Sequence, residues 1–90
     1  MKYRSRTEIS ALILEAVRHG STKTKIMYKA YLSYTLVKQY ITFLQENDLI
    51  RYEKLTKQYR ITEKGIKFLH SYDQILELLS LKNKEKKITI

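Results

Sequence analysis

From Ser33 to Ile50 the chain reads SYTLVKQYITFLQENDLI, a stretch with a start, a period and a stop. A serine just ahead of an amphipathic run can accept a hydrogen bond from an unpaired N–H of the first turn, so Ser33 reads as an N-cap. Leu36, Val37, Tyr40, Ile41 and Leu44 recur at the three- and four-residue spacing of one helical face, and that face is expected to be buried. Thr35, Lys38, Gln39, Thr42 and Gln45 point largely the other way, with one positive charge and no carboxylate before Glu46. A merely solvated helix face usually mixes both charge signs. Asn47 and Asp48 suit a helix exit, and Leu49, Ile50 and Tyr52 begin a strand.

An amphipathic helix alone says little, so the order of elements around it carries the reading. Ser5 and Glu8 have the capping-box spacing, which predicts a first helix from about Arg6 to Arg18. Its inner stripe is Ile9, Leu12, Ile13, Ala16 and Val17, with Gly20 as a left-handed stop. Ser21 or Thr22 caps a short second helix, Lys23 to Ala30, with Lys23, Lys25 and Lys29 on its basic face and Ile26, Met27 and Ala30 as core contacts. Tyr31 and Leu32 make a turn into Ser33. Two helices joined by about three residues, the second cleanly capped, have the arrangement of a helix-turn-helix, although such pairs also occur in proteins that never touch DNA.

Leu49 to Glu53 and Gln58 to Thr62 are two short β-prone runs separated by Lys54-Leu55-Thr56-Lys57. They read as a hairpin with a basic tip that must pack against the helices, and the tip lacks the glycine of a tight two-residue turn. Helix, helix-turn-helix and basic hairpin make the element order of a winged helix domain. The fold class expected is mainly α with a small β-hairpin, a winged helix-turn-helix over residues 1–65 followed by a C-terminal dimerisation helix.

Thr62 caps that last helix, expected from Glu63 through Leu81, with Gly65 tolerable in its first turn where the backbone comes close to the core. Leu69, Tyr72, Leu76 and Leu79 fall at spacings of three, four and three, and Phe68 and Ile75 widen the stripe. With the domain core supplied upstream, this stripe lacks an obvious partner within the chain. The expectation is a homodimer through Phe68, Leu69, Tyr72, Ile75, Leu76 and Leu79. Residues 82–90 form a basic tail, with Lys82, Lys84, Lys86 and Lys87.

Eighteen Lys and Arg stand against nine Asp and Glu in 90 residues, a formal charge of +9. So large a single-sign field favours a polyanionic partner, nucleic acid or an anionic membrane surface. There is no cysteine to build a disulfide scaffold or a thiolate metal site. The opening MKYRSRTEIS lacks the apolar core of a signal peptide, and no run approaches a membrane span, so a cytoplasmic, nucleoid-associated protein is expected.

The segment TKTKIMYKAYLSYTLVKQYITFLQENDLI, Thr22 to Ile50, followed by YRITEKGIKFL, Tyr59 to Leu69, resembles the small archaeal winged-helix DNA-binding proteins of the Sulfolobus chromatin-associated type and the wider archaeal winged-helix regulator family. With the first helix, the resemblance covers nearly the whole chain. It implies DNA binding and homodimerisation through an antiparallel coiled coil of the last helices.

In a winged helix the third helix enters the major groove, where base edges present distinguishable donors and acceptors. Tyr34, Thr35, Lys38, Gln39 and Thr42 are placed for that role. Arg4, Arg6, Lys23, Lys25, Lys54, Thr56 and Lys57 suit phosphates, which position a protein without reading sequence. No arginine lies on the third-helix face, which tilts the reading towards weak sequence preference. Tyr40, Tyr52 and Tyr72 are read as plugs of the core or interface, and Tyr28, Tyr31 and Tyr34 as possible contacts. His19 and His70 are isolated, and no pair of acids has a metal or acid–base spacing, so no catalytic residue, metal site, cofactor or small-molecule ligand is expected. The partners expected are double-stranded DNA and a second copy of the chain. The competing classes are a winged helix used for protein contact in a transcription or replication assembly, and membrane-surface binding by the last helix.

Overall fold

A side-chain oxygen starts each helix. Ser5 Oγ accepts from the Glu8 N–H at 3.0 Å, Thr22 Oγ1 from Lys25 at 3.3 Å, Ser33 Oγ from Leu36 at 3.2 Å and Thr62 Oγ1 from Gly65 at 3.0 Å. Each satisfies a first-turn donor that the helix itself leaves unpaired. The computed structural model describes residues 4–79. In chain order these form α1 (Arg6–Ala16), α2 (Lys23–Ala30), α3 (Tyr34–Glu46), β1 (Ile50–Glu53), β2 (Gln58–Ile61) and α4 (Glu63–Leu78). The expected continuation of α4 to Leu81 and the lysine tail beyond it lie outside the described residues.

The core gathers side chains from α1, α2, α3 and β1, with Ile13, Leu14, Val17, Ile26, Val37, Leu44 and Ile50 fully buried. α1 packs on both α2 and α4, which changes its inner face from the one expected. Ile9, Ile13 and Val17 are buried, but so are Ser10, Ala11 and Leu14, while Leu12 is exposed and Ala16 only half-buried. A helix covered on two sides needs a wider apolar arc than a single stripe supplies. α3 keeps Val37, Ile41 and Leu44 inside, whereas Leu36 is 41% exposed. Leu36 lies one residue from the buried row, in a first turn with no earlier turn of its own helix to cover it.

β1 and β2 pair antiparallel, Ile50 with Ile61, Arg51 with Arg60, Tyr52 with Tyr59 and Glu53 with Gln58. Ile50 and the Tyr59 side of the hairpin face the core. Tyr59, rather than Tyr52, is the tyrosine packed against it; Tyr52 is exposed, its ring tilted on Tyr59 at 4.9 Å between centroids. Tyr40 and Tyr72 do pack against the core as expected. Ser21 is not a cap but forms an isolated antiparallel bridge to β2. Its N–H donates to the Tyr59 carbonyl at 3.0 Å and its carbonyl accepts from the Tyr59 N–H at 2.7 Å, tying the α1–α2 connection to the hairpin.

The start of α4 is fixed twice. Thr62 Oγ1 also donates to the Asp48 carbonyl at 2.7 Å, and Lys64 Nζ donates to the Asn47 carbonyl at 2.9 Å. Gly65 is buried there, and a Cβ on it would collide with the Leu49 carbonyl and the Ile61 side chain. That close approach explains a glycine inside a helix.

The apolar seam of α4 divides in two, which corrects part of the expected dimer surface. Leu69 is buried in the chain's own core, and Phe68 and Tyr72 pack against it, because α1 lies across the first half of α4. Ile75, Leu78 and Leu79 are exposed, and Leu76 is half-buried. The element order and the capped helix pair beside the hairpin are those of a winged helix.

Candidate nucleic-acid interface

α3 presents one uninterrupted polar face. Tyr34, Thr35, Lys38, Gln39 and Thr42 are all exposed, and the first carboxylate on the helix is Glu46 in its last turn. Tyr34 stands between two cations, with Lys23 Nζ 5.8 Å and Lys38 Nζ 5.3 Å from its ring centroid. The ring thus brings a lysine from α2 beside the start of α3, and Lys25 is exposed further along α2. An ammonium over an aromatic face is held by the ring quadrupole at about 0.5–1 kcal/mol when exposed.

The two arginines at the start of the described chain, Arg4 ahead of α1 and Arg6 at its first position, have different fates. Arg4 donates through Nη1 to the Ala30 carbonyl at 2.6 Å and through Nη2 to the Tyr31 carbonyl at 2.9 Å. It thereby caps the C-terminus of α2, where stranded carbonyls and the helix dipole attract a cation. Arg4 is therefore part of the turn rather than a free phosphate contact, correcting the expectation. Arg6 lies with its guanidinium 5.2 Å from the Phe43 ring centroid and lines a pocket of about 70 Å³ with Gln39, Tyr40 and Phe43. The arginine missing from α3 is thus supplied beside Gln39 by the first residue of α1. That pocket is far below the ~300–1,000 Å³ of ligand sites.

Tyr31 occupies the turn between α2 and α3 in the left-handed region, φ 55° and ψ 51°, and is 83% exposed. Its N–H donates to the Tyr28 carbonyl and the Leu32 N–H to the Met27 carbonyl, closing the end of α2. The hairpin tip, residues 54–57, carries Lys54, Leu55, Thr56 and Lys57, all exposed, with Lys57 in the left-handed region at φ 57°. Behind the tip, Glu53 Oε1 accepts from Arg60 Nε at 2.8 Å and from Thr56 Oγ1 at 3.1 Å, and Glu53 Oε2 is 3.9 Å from Arg51. The Arg60 hydrogen bond, aided by Thr56 and by the charges of Arg60 and Arg51, holds the Glu53 carboxyl below its ordinary value against a desolvation that raises it. The carboxylate also relieves two arginines that the register sets directly opposite each other.

A family model described as winged helix-turn-helix matches residues 3–87. The chain belongs to the winged helix-turn-helix family. It is 34% identical over 80 residues to the uncharacterized protein MJ0287 of the archaeon Methanocaldococcus jannaschii, covering 88% of this chain and 80% of that one. MJ0290 of the same organism is 37% identical over 68 residues, where the match spans 74% of this chain and 31% of MJ0290. Among solved structures, Sso10a-2, a DNA-binding protein from Sulfolobus solfataricus, superposes with a TM-score of 0.73 at 23% identity, over 96% of this chain and 94% of its own. Lactococcus lactis ZitR, solved in complex with DNA, superposes with a TM-score of 0.69 at 20% identity, over 99% of this chain and 64% of ZitR.

As a winged helix-turn-helix, the chain has α2 and α3 as its helix pair, Tyr31 as the pivot between them and β1–β2 as the wing. Sequence reasoning placed the α3 face and the wing lysines but missed three features. Arg4 meets Tyr31 across 27 residues, Arg6 meets Phe43, and Arg51, Arg60 and Glu53 form one charged network on the wing. The last carried a signal: a period-two alternation puts Arg51 and Glu53 on one face of a strand. The other two are tertiary meetings that no local spacing encodes. No helix among the described residues is long and apolar enough to cross a membrane.

Proposed function

We propose that this protein binds double-stranded DNA as a transcriptional regulator or minor chromatin protein of the nucleoid. In this reading α3 lies in the major groove and the basic wing follows the phosphate backbone. The observation that carries it is the α3 face, five exposed donor- and acceptor-bearing side chains without a carboxylate, flanked by Lys23 and Lys25. Gln39 pairs bidentately with adenine and Lys38 reaches a guanine or a phosphate in this arrangement. Arg6, beside Gln39, adds a cation at the edge of the same face. The DNA-binding names of Sso10a-2 and of the ZitR complex support the reading.

The distal half of α4 supports action as a homodimer. Ile75, Leu78 and Leu79 are exposed on the helix where α1 no longer covers it, and a second copy would bury them together with Leu76. Sedimentation of the full chain at high micromolar concentration tests this; a monomer there rules out the dimer. The groove assignment is tested by K38A/Q39A. Affinity for a mixed-sequence duplex should fall roughly tenfold or more, at about 1–3 kcal/mol per lost specific contact, with thermal midpoint and oligomeric state unchanged. Unchanged affinity would remove α3 from the interface.

A further inference from the structure

The wing tip breaks the ordinary rules of turn composition. Hairpin loops favour Gly, Asn, Asp and Ser, which supply positive φ or local hydrogen bonds at little cost. Here the loop offers Leu55, 99% exposed at its crest, and Lys57 held at φ 57° where a glycine would sit free of strain. Departures of this kind concentrate at functional sites. The loop is also firmly mounted, since Thr56 is hydrogen-bonded to Glu53, which is in turn bonded to Arg60 on the opposite strand. A bare leucine is thus carried on a braced tip between two lysines.

That arrangement has a natural complement. The minor groove of duplex DNA is a slot about 6 Å wide between two rows of phosphates. Paired antiparallel strands stand about 4.5–5.5 Å apart at their Cα atoms, so a hairpin tip presents a narrow ridge. Lys54 and Lys57 stand at the two ends of the loop and reach opposite walls of such a slot. Leu55 at the crest then meets its floor. A leucine has no donor or acceptor to read base edges. An apolar side chain pressed into the minor groove instead separates a base step and bends the duplex towards the major groove, most readily at flexible pyrimidine–purine steps. A protein-docking surface is a less apt complement, because such patches are contiguous over a few hundred Å², whereas Leu55 is isolated among Lys54, Thr56 and Lys57.

We propose that Leu55 is an apolar wedge that enters the minor groove between Lys54 and Lys57, unstacks a base step and bends the DNA. This rests on the duplex-binding reading above and adds to it a deformation of the duplex. The bend is read as energy transfer between dyes at the two ends of a short alternating A·T duplex, and the unstacking as fluorescence of 2-aminopurine substituted for adenine within it. The full chain should raise both signals. L55A should bind with no more than about a tenfold loss of affinity, raise neither signal, and keep its thermal midpoint, since a fully exposed side chain contributes little to folding; L55F should restore both. Equal bending and unstacking by L55A and the parent chain would overturn the wedge. Binding by the parent chain without either signal would overturn the wedge alone, leaving the duplex-binding reading in place, whereas absence of all binding would overturn both. A change in sedimentation of L55A would assign the leucine to a protein contact and also overturn the proposal.

Discussion

The two halves of α4 carry the same kind of apolar spacing and have opposite surroundings. Between Thr62 and Tyr72 the stripe is closed by α1, the hairpin and the exit of α3; from Ile75 to Leu79 it is open. Both halves would be written as one seam from their residue types. What differs is position: α1 meets α4 at Leu69, Tyr72 and Asp73 through Glu8, Ala11, Leu12 and Glu15, and Ile75, Leu78 and Leu79 lie beyond that meeting. A heptad-like pattern therefore marks an apolar face without saying how much of it the chain itself buries.

The sharpest way to break this comparison is to truncate one leucine in each half. Leu69→Ala should destabilise the fold by about 2–5 kcal/mol, the range for a buried leucine that leaves a cavity. Leu78→Ala, at a residue 83% exposed, should change urea-denaturation stability by less than about 0.5 kcal/mol under conditions where the chain is monomeric. Equal losses would mean that the halves are not distinct.

Smaller is the effect of loosening the proximal half at its root. Thr62→Ala removes the N-cap bond to Gly65 and the bond to the Asp48 carbonyl, and should cost about 1–2 kcal/mol by urea denaturation. The loss should appear in fluorescence of the tyrosines near α4 without altering the oligomeric state. A change in oligomeric state with unchanged fold stability would reverse the assignment of the two halves.

The smallest expected effect lies on the wing. Glu53 has a folded-state carboxyl value below its ordinary 4.5, chiefly through the Arg60 hydrogen bond. Folding therefore gains from its ionisation at pH above about 4.5, and the gain is lost as pH falls through the lowered folded value. Because the group is only partly buried, the change should be small and screened by salt. Glu53→Gln should flatten this part of the acid stability curve while leaving the α4 comparison untouched. A variant curve with the same slope below pH 4.5 would show that Glu53 is not its source.

The sequence was most readable where structure is local. Ser5, Thr22, Ser33 and Thr62 each cap the helix they precede, because a short polar side chain and the N–H three residues on are fixed by the chain itself. The bounds of α2 and the four-residue wing tip follow from the same local chemistry. The exposed α3 face was legible too, since residues opposite a buried row must meet solvent. Reading failed where partners are distant in sequence: Arg4 on the end of α2, Arg6 on Phe43, and Leu69 under α1. It also failed for backbone that departs from residue preference. Tyr31 and Lys57 take positive φ without a glycine, asparagine or aspartate to signal it.

The most direct test of the whole account is the affinity of the full chain for a mixed-sequence duplex, measured by fluorescence anisotropy across a salt series. Each neutralised phosphate releases counterions, so the slope of log affinity against log salt counts the contacts. The account predicts a steep negative slope, on the order of six or more contacts. No binding even at low salt would contradict it.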